Sequence, residues 1–138
     1  MIERTLIIVK PDGVRRGLVG EVISRFERKG FKIVGLKMMR LSRERAEELY
    51  APHRGKDFFE GLINFMISGP IVAMAVEGES VVSIARMMVG ATSPLEALPG
   101  TIRGDFSTDV RENVVHASES PSEAERELKV IFAPEELV

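Results

Sequence analysis

Cysteine is absent from this 138-residue chain, and histidine occurs only at His53 and His116. The first absence excludes disulfides, thiolate catalysis and cysteine-based zinc sites. It also fits an intracellular, cytoplasmic protein. The scarcity of histidine leaves few side chains able to act as a nucleophile near neutral pH. Neither charge sign dominates: 19 Lys and Arg stand against 21 Asp and Glu, a net charge of −2. That balance gives no general attraction to nucleic acid, and no specific nucleic-acid partner is expected. A polyanion site would need a local cluster of Lys and Arg. Long apolar runs are also missing. None approaches the roughly 18 residues of a membrane span, and Met1 to Leu6 lacks the basic-then-apolar order of a secretion signal. No membrane partner is expected.

Hydrophobic residues make up 44% of the chain, enough for a core without metal or disulfide support. The length fits one domain, residues 1–138. Thr5–Val9 is a continuous β-branched and aliphatic run, the pattern of a central strand buried on both faces. Lys10-Pro-Asp-Gly13 breaks it with turn chemistry. Leu18, Val22, Ile23 and Phe26 have helical spacing that stops at Gly30. A strand is predicted over 31–41, then a short helix over 43–50 capped by Ser42. Another helix is predicted over 56–67, a strand over 71–76 and a helix over 79–89 ending at Gly90. Residues 90–112 show no period and read as a long irregular loop, which in compact domains is usually functional or disordered. A last short strand is predicted over 113–117. Ser120-Pro-Ser-Glu123 reads as a capping box with proline at the first helical position, opening a helix to about Phe132. The order implies a ferredoxin-like βαββαβ core: a four-stranded antiparallel sheet covered by helices, with the helices on one face.

His116 is the leading candidate for chemistry. It lies at the mouth of the last strand, and alternation places it on one face with Ser118. Its other reading is a hydrogen-bonded core histidine. Glu127 lies one to two turns into the capped helix and can point back to the strand end. There it would hold one ring N–H and leave the other nitrogen free to attack. Alternatively, Glu123 and Glu127 form a solvated acidic face. Lys10 ends the buried strand, a favoured position for ligand contacts. With Arg86 and Arg103 it could make the cationic cluster that a phosphate chain requires, although each could equally be a solvated surface charge. No glycine-rich phosphate loop is present. Phe58, Leu62 and Phe65 form one apolar stripe of the 56–67 helix and Phe59, Ile63 and Met66 a second. Spacing favours a deeply buried helix or an oligomer contact over a cleft for an aromatic base. Tyr50, the only tyrosine, could donate to a phosphate or simply pack. His53 reads as a surface residue.

Thr5-Leu-Ile-Ile-Val-Lys-Pro-Asp-Gly13 and Asn113-Val-Val-His-Ala-Ser118 resemble the nucleoside diphosphate kinases, and the second stretch is similar to that family's active-site signature. Tyr50-Ala-Pro-His53, Phe58-Phe59, Ser68-Gly-Pro70, Arg86, Gly90-Ala-Thr92 and Gly100-Thr-Ile-Arg-Gly-Asp-Phe106 extend the resemblance over essentially the whole chain. The resemblance implies ping-pong transfer of the γ-phosphate of a nucleoside triphosphate, mainly ATP, to a nucleoside diphosphate through Nδ1 of His116. It also implies that Glu127 holds the other ring nitrogen, with Ser118 positioning that carboxylate. Lys10 and Tyr50 would sit near the transferred phosphate, and Arg86, Thr92 and Arg103 would hold the phosphate chain. Asn113 would contact the ribose side, while Phe58, with Leu62 and Val110 nearby, would stack on the base. Mg²⁺ would be carried by the nucleotide phosphates, with no dedicated protein metal site. Members assemble as homo-oligomers, so a hexamer is expected and a tetramer is the alternative. Two departures stand out: Glu119 replaces the usual Asp, and the chain stops at Val138, short of the extended arm of some members. A non-catalytic RNA-recognition module would need aromatics on central strands and a basic face, neither of which is present. The intact candidate residues argue against an inactive relative, and the Phe58 and Thr92 region against a carrier that phosphorylates proteins.

Overall fold

The computed structural model covers residues 1–138. The first strand, β1 (Ile2–Val9), starts three residues earlier than its apolar run predicts. Leu6, Ile7, Ile8 and Val9 are fully buried, because side chains of both parities along the strand meet a packed layer. β1 lies between β3 (Ile71–Glu79) and β4 (Val115–Ala117), and β2 (Lys32–Met39) closes the far edge. The order is β2-β3-β1-β4 with every pairing antiparallel, which is the ferredoxin-like arrangement.

Helices cover both faces of this sheet, not one. Leu6, Ile8, Ala73 and Ala75 pack with α3 (Arg43–Leu49), α4 (Phe59–Met66) and α7 (Pro121–Ile131). Ile7, Val9, Met74 and Val76 pack with α2 (Val19–Lys29) and α5 (Val81–Val89) on the other side. A strand that is aliphatic at every position needs cover on both faces, so one layer of helices could not suffice.

The helix ends largely follow their caps. Ser42 accepts from Arg45 N at 3.1 Å, and Gly30 stops α2 in the left-handed region at φ 100°, where glycine carries no Cβ clash. Ser120 accepts from Glu123 N at 3.2 Å, but the expected capping box is only half made. Glu123 turns its carboxylate to Arg126 Nε at 2.9 Å, since an ion pair competes for the same oxygens. The helix predicted from residue 56 begins at Phe59, after a bend at Lys56 and a turn through Asp57 and Phe58.

Two further differences shape the site. Lys10-Pro-Asp-Gly13 is not a free turn but the entry to a short helix, α1 (Pro11–Arg15), with Pro11 in its first turn. The 90–112 loop contains the helix α6 (Ile102–Phe106), capped by Thr101 Oγ1 accepting from Gly104 N at 2.9 Å. Both are too short to show a period. The last strand begins at Val115 because Val114 has φ 75°, a conformation a β-branched residue rarely adopts.

Candidate active site

The sheet register brings β4 against β1 so that His116 lies opposite Ile8. Lys10, just beyond β1, is thereby placed beside the residues that precede β4. Val114, buried and left-handed, is pinned from two directions. Its N–H donates to Asp12 Oδ2 at 3.0 Å, and its carbonyl accepts from Lys10 N at 2.8 Å. Gly13 lets α1 come this close: a Cβ there would meet Val114 O at 2.9 Å and Val9 Cγ1 at 2.8 Å.

His116 is held on one nitrogen. Its Nε2 lies 2.7 Å from Glu127 Oε1, and Ser118 Oγ donates to the same oxygen at 2.7 Å. An ionised carboxylate only accepts, so Nε2 carries a proton, and in the neutral ring Nδ1 then keeps its lone pair. That free nitrogen faces Tyr50, whose hydroxyl is 3.4 Å away and whose ring meets the imidazole edge-on. Burial works against the charge of Glu127. The hydrogen bond and charge of His116, the Ser118 hydroxyl and the Arg126 charge outweigh it and hold the carboxyl below its ordinary range. Arg126 also donates to Glu48 O and Leu49 O at 2.8 and 2.9 Å. It therefore ties the end of α3, which carries Tyr50, to the helix that carries Glu127.

Opposite the imidazole stand the cations. Lys10 is buried and donates to Asn113 Oδ1 at 2.8 Å. Burial pushes its ammonium pKa down to about 7, the Arg103 guanidinium adds to that, and Asp12 pulls the other way. Arg103 donates to Gly90 O at 3.1 Å and to Val115 O at 2.7 Å. Its pKa is pushed down to about 10, first by burial and then by Arg86. Arg86 donates to Ala117 O at 3.2 Å. Burial, reinforced by the charge of Glu127, pushes the Tyr50 hydroxyl up, so it stays protonated. Arg103 acts on Lys10 and Arg86 on Arg103, so the three form a basic cluster suited to phosphate oxygens, with Glu127 on the same cleft.

A single cleft of about 420 Å³ collects these groups. Lys10, Tyr50, Arg86, Thr92, Arg103 and Asn113 line it together with His116 and Glu127, and Phe58, Leu62 and Val110 line its outer part. Ser118 is buried behind Glu127 and does not face the cleft. Both stripes of α4 enter the core: Phe59, Leu62, Ile63 and Met66 are buried together and Phe65 packs against them, while Phe58, at the N-cap, stays 45% exposed beside the opening that Leu62 also lines. The buried helix that the spacing favours is what α4 forms, and Phe58 just before it is the exception. His53 is half-buried rather than a free surface residue. It tilts against Phe58 with ring centroids 5.3 Å apart. Glu119 lines the cleft mouth and takes no part in capping α7, which is left to Ser120. Asn113 already spends both ends of its amide, since Nδ2 donates to Val110 O at 3.1 Å.

Sequence reasoning missed Asp12, Arg111 and Arg126. Asp12 read as a turn residue because nothing local shows that its partner is 102 positions away. Little in the local sequence separates Arg126 and Arg111 from solvated charges. Only the i,i+3 spacing of Glu123 and Arg126 hinted at a specific pair.

Comparison with known proteins follows the same lines. The family described as nucleoside diphosphate kinase matches residues 3–137. A nucleoside diphosphate kinase of Staphylothermus marinus is 62% identical over 136 residues, covering 99% of this chain and 96% of that one. The crystal structure of the Aquifex aeolicus nucleoside diphosphate kinase superposes with a TM-score of 0.96 at 43% identity, covering 100% of both chains. That of the Halobacterium salinarum enzyme in complex with CDP gives 0.97 at 47% identity, covering 100% of this chain and 92% of the other.

Proposed function

The chain belongs to the nucleoside diphosphate kinase family, and from that premise we propose that His116 carries a phosphoryl group from a nucleoside triphosphate to a nucleoside diphosphate. The observation that supports this most directly is the imidazole itself. Nε2 is tied to Glu127, and Nδ1 meets only the Tyr50 hydroxyl, at 3.4 Å, in a cleft also lined by Lys10, Arg86 and Arg103.

In the first half-reaction the Nδ1 lone pair attacks the γ-phosphorus. The bond to the β,γ-bridging oxygen breaks, and the diphosphate leaves with that electron pair. The imidazole becomes cationic, and Glu127 stabilises the charge through the Nε2 proton. In the second, a terminal oxygen of a different nucleoside diphosphate attacks the phosphorus, the P–N bond breaks and its electrons return to Nδ1. Such transfer depends mainly on positioning and charge stabilisation. Lys10 and Tyr50 serve the transferred phosphate, Arg86, Thr92 and Arg103 the phosphate chain, and Asn113 the ribose. Phe58, with Leu62 and Val110, stacks on the base. A π-face accepts any base, consistent with a site that serves ATP and other nucleotides.

No group of three or more His, Asp or Glu residues is arranged to hold a metal ion, and Glu127 is committed to His116 and Ser118. This donor set suits a divalent cation, Mg²⁺ in our reading, that enters on the nucleotide phosphates and keeps mostly oxygen ligands from phosphate and water. The same reading takes residues 1–138 as one kinase domain, cytoplasmic in location. No helix is long and apolar enough to cross a membrane. It also takes the protein as a homo-oligomer, a hexamer before a tetramer. Support for association comes from β2, an edge strand that exposes Leu36 and Met38.

The test is to incubate the protein with γ-labelled ATP and Mg²⁺, then add GDP. An acid-labile phosphoenzyme is expected, with its label chased into GTP, and His116→Ala should lose both. A wild type that takes no label rejects the reading, and unchanged labelling of the variant rejects His116.

A further inference from the structure

Arg111 is the one cationic side chain of the cleft that the transfer chemistry leaves without a task. Its backbone N–H donates to Asp109 Oδ2 at 2.9 Å, but its guanidinium has no hydrogen-bond or ion-pair partner. Even the neighbouring Glu112 pairs elsewhere, with Arg15 at 3.6 Å. The guanidinium instead lies across α4 at Gly61. A Cβ there would fall on the guanidinium itself, 2.6 Å from Cζ and 2.9 Å from Nη1. Phe58, Gly61 and Leu62 share one face of the helix start, by their i, i+3 and i+4 spacing. The missing side chain at 61 therefore opens a lane that holds the guanidinium beside the Phe58–Leu62 surface, next to Val110.

Resting on the nucleotide-transfer reading above, we propose that Arg111 sets base preference, favouring guanine. A base stacked on Phe58 presents an edge to this guanidinium. Guanidinium offers donors in a fixed fork and no acceptor. Guanine presents two adjacent acceptors, O6 and N7, which match the fork. Adenine pairs its N7 acceptor with an N6 donor, which opposes it. Uracil has only one carbonyl toward such a fork, and cytosine offers an amino donor. The expected order is guanine, then uracil, then adenine and cytosine. Stacking keeps every base acceptable, and Arg111 only grades them.

The experiment measures kcat/KM for chasing the phosphoenzyme with GDP, UDP, ADP and CDP. Calorimetric binding of GDP and ADP to the unphosphorylated protein is measured in parallel. Wild type should favour GDP over ADP by about tenfold in both, the scale of one bidentate contact at a solvent-exposed rim. Arg111→Ala should bring that ratio within about twofold. Gly61→Ala should do the same while keeping the arginine, because a new Cβ evicts the guanidinium. Alanine is the better helix former, so a flattened ratio there is not a folding defect, and its urea midpoint should be no lower than that of wild type. Equal GDP and ADP ratios in wild type overturn the proposal, as does a preference that survives Arg111→Ala. Failure of the phosphotransfer reading shows differently, as absence of label on His116. In that event the binding ratios alone still decide the role of Arg111.

Discussion

Lys10 is a cation that the fold keeps close to neutrality. Its folded pKa of about 7 lies below the usual 10.5. Between those values the unfolded chain holds a proton that the folded chain lacks. Stability therefore rises with pH from about 7 to 10.5, and that contribution is lost as pH falls to 7, with a slope of at most about 1.4 kcal/mol per pH unit. A nucleotide phosphate beside the amine reverses the balance, so binding at pH 8 should take up close to one proton. Calorimetry in two buffers of different ionisation enthalpy reads this directly. Lys10→Met should remove the uptake, and a wild type that exchanges no proton would show that the amine is already charged. Glu127 works on the other side of the reacting atom. Its hydrogen bond to Nε2 at 2.7 Å fixes the tautomer and stabilises the imidazolium. Glu127→Gln should slow phosphoenzyme formation by roughly 10²–10³-fold, measured by rapid-quench labelling, with nucleotide affinity changing far less. Equal losses in rate and affinity would point to a collapsed site instead.

At the scale of elements, the site depends on how closely α1 approaches β4. The contact is backbone against backbone, with Gly13 over the Val114 carbonyl. A methyl group there meets an atom that cannot rotate away. Gly13→Ala is expected to cost about 1–3 kcal/mol, seen as a lower urea midpoint with unchanged slope. Gly20→Ala is the control: it lies within α2 with nothing within 4 Å of the added Cβ. It should be neutral or stabilising by up to about 1 kcal/mol. If both behave alike, helix propensity and not close approach governs position 13. The same geometry accounts for Asp12, whose carboxylate satisfies a strained Val114 N–H that no strand partner reaches.

For the whole molecule, two cores on opposite faces hold the sheet, and its β2 edge is left with Leu36 at 52% and Met38 at 62% exposure. The C-terminus does not hide them. It returns to Val34, through Val138 N, to Gly35, over which Leu137 lies, and to Lys37, through Glu136. Placing a charge on this edge should oppose pairing with a second copy. Leu36→Lys is expected to shift the protein toward smaller species in light scattering. Labelling at His116 should persist, because Glu127, Ser118 and the cationic cluster sit beside His116 within the same chain. An unchanged mass would exclude the β2 edge as a subunit contact.

The linear order of residues determined the strands with continuous aliphatic runs, the helices with clear caps and the cluster of chemistry-bearing types around His116. Those signals are local: alternation, helical period and capping act over a few positions. Family resemblance then added the roles of residues whose types alone were ambiguous, such as Thr92 and Val110. Tertiary structure decided what depends on distant partners. It covered both faces of the sheet, turned Lys10-Pro-Asp-Gly13 into a helix docked on Val114, and buried both stripes of α4 while leaving Phe58 at the cleft. It also laid Arg111 across Gly61. Each of these rests on contacts between segments far apart in the chain, where packing and electrostatics, not local propensity, choose the outcome.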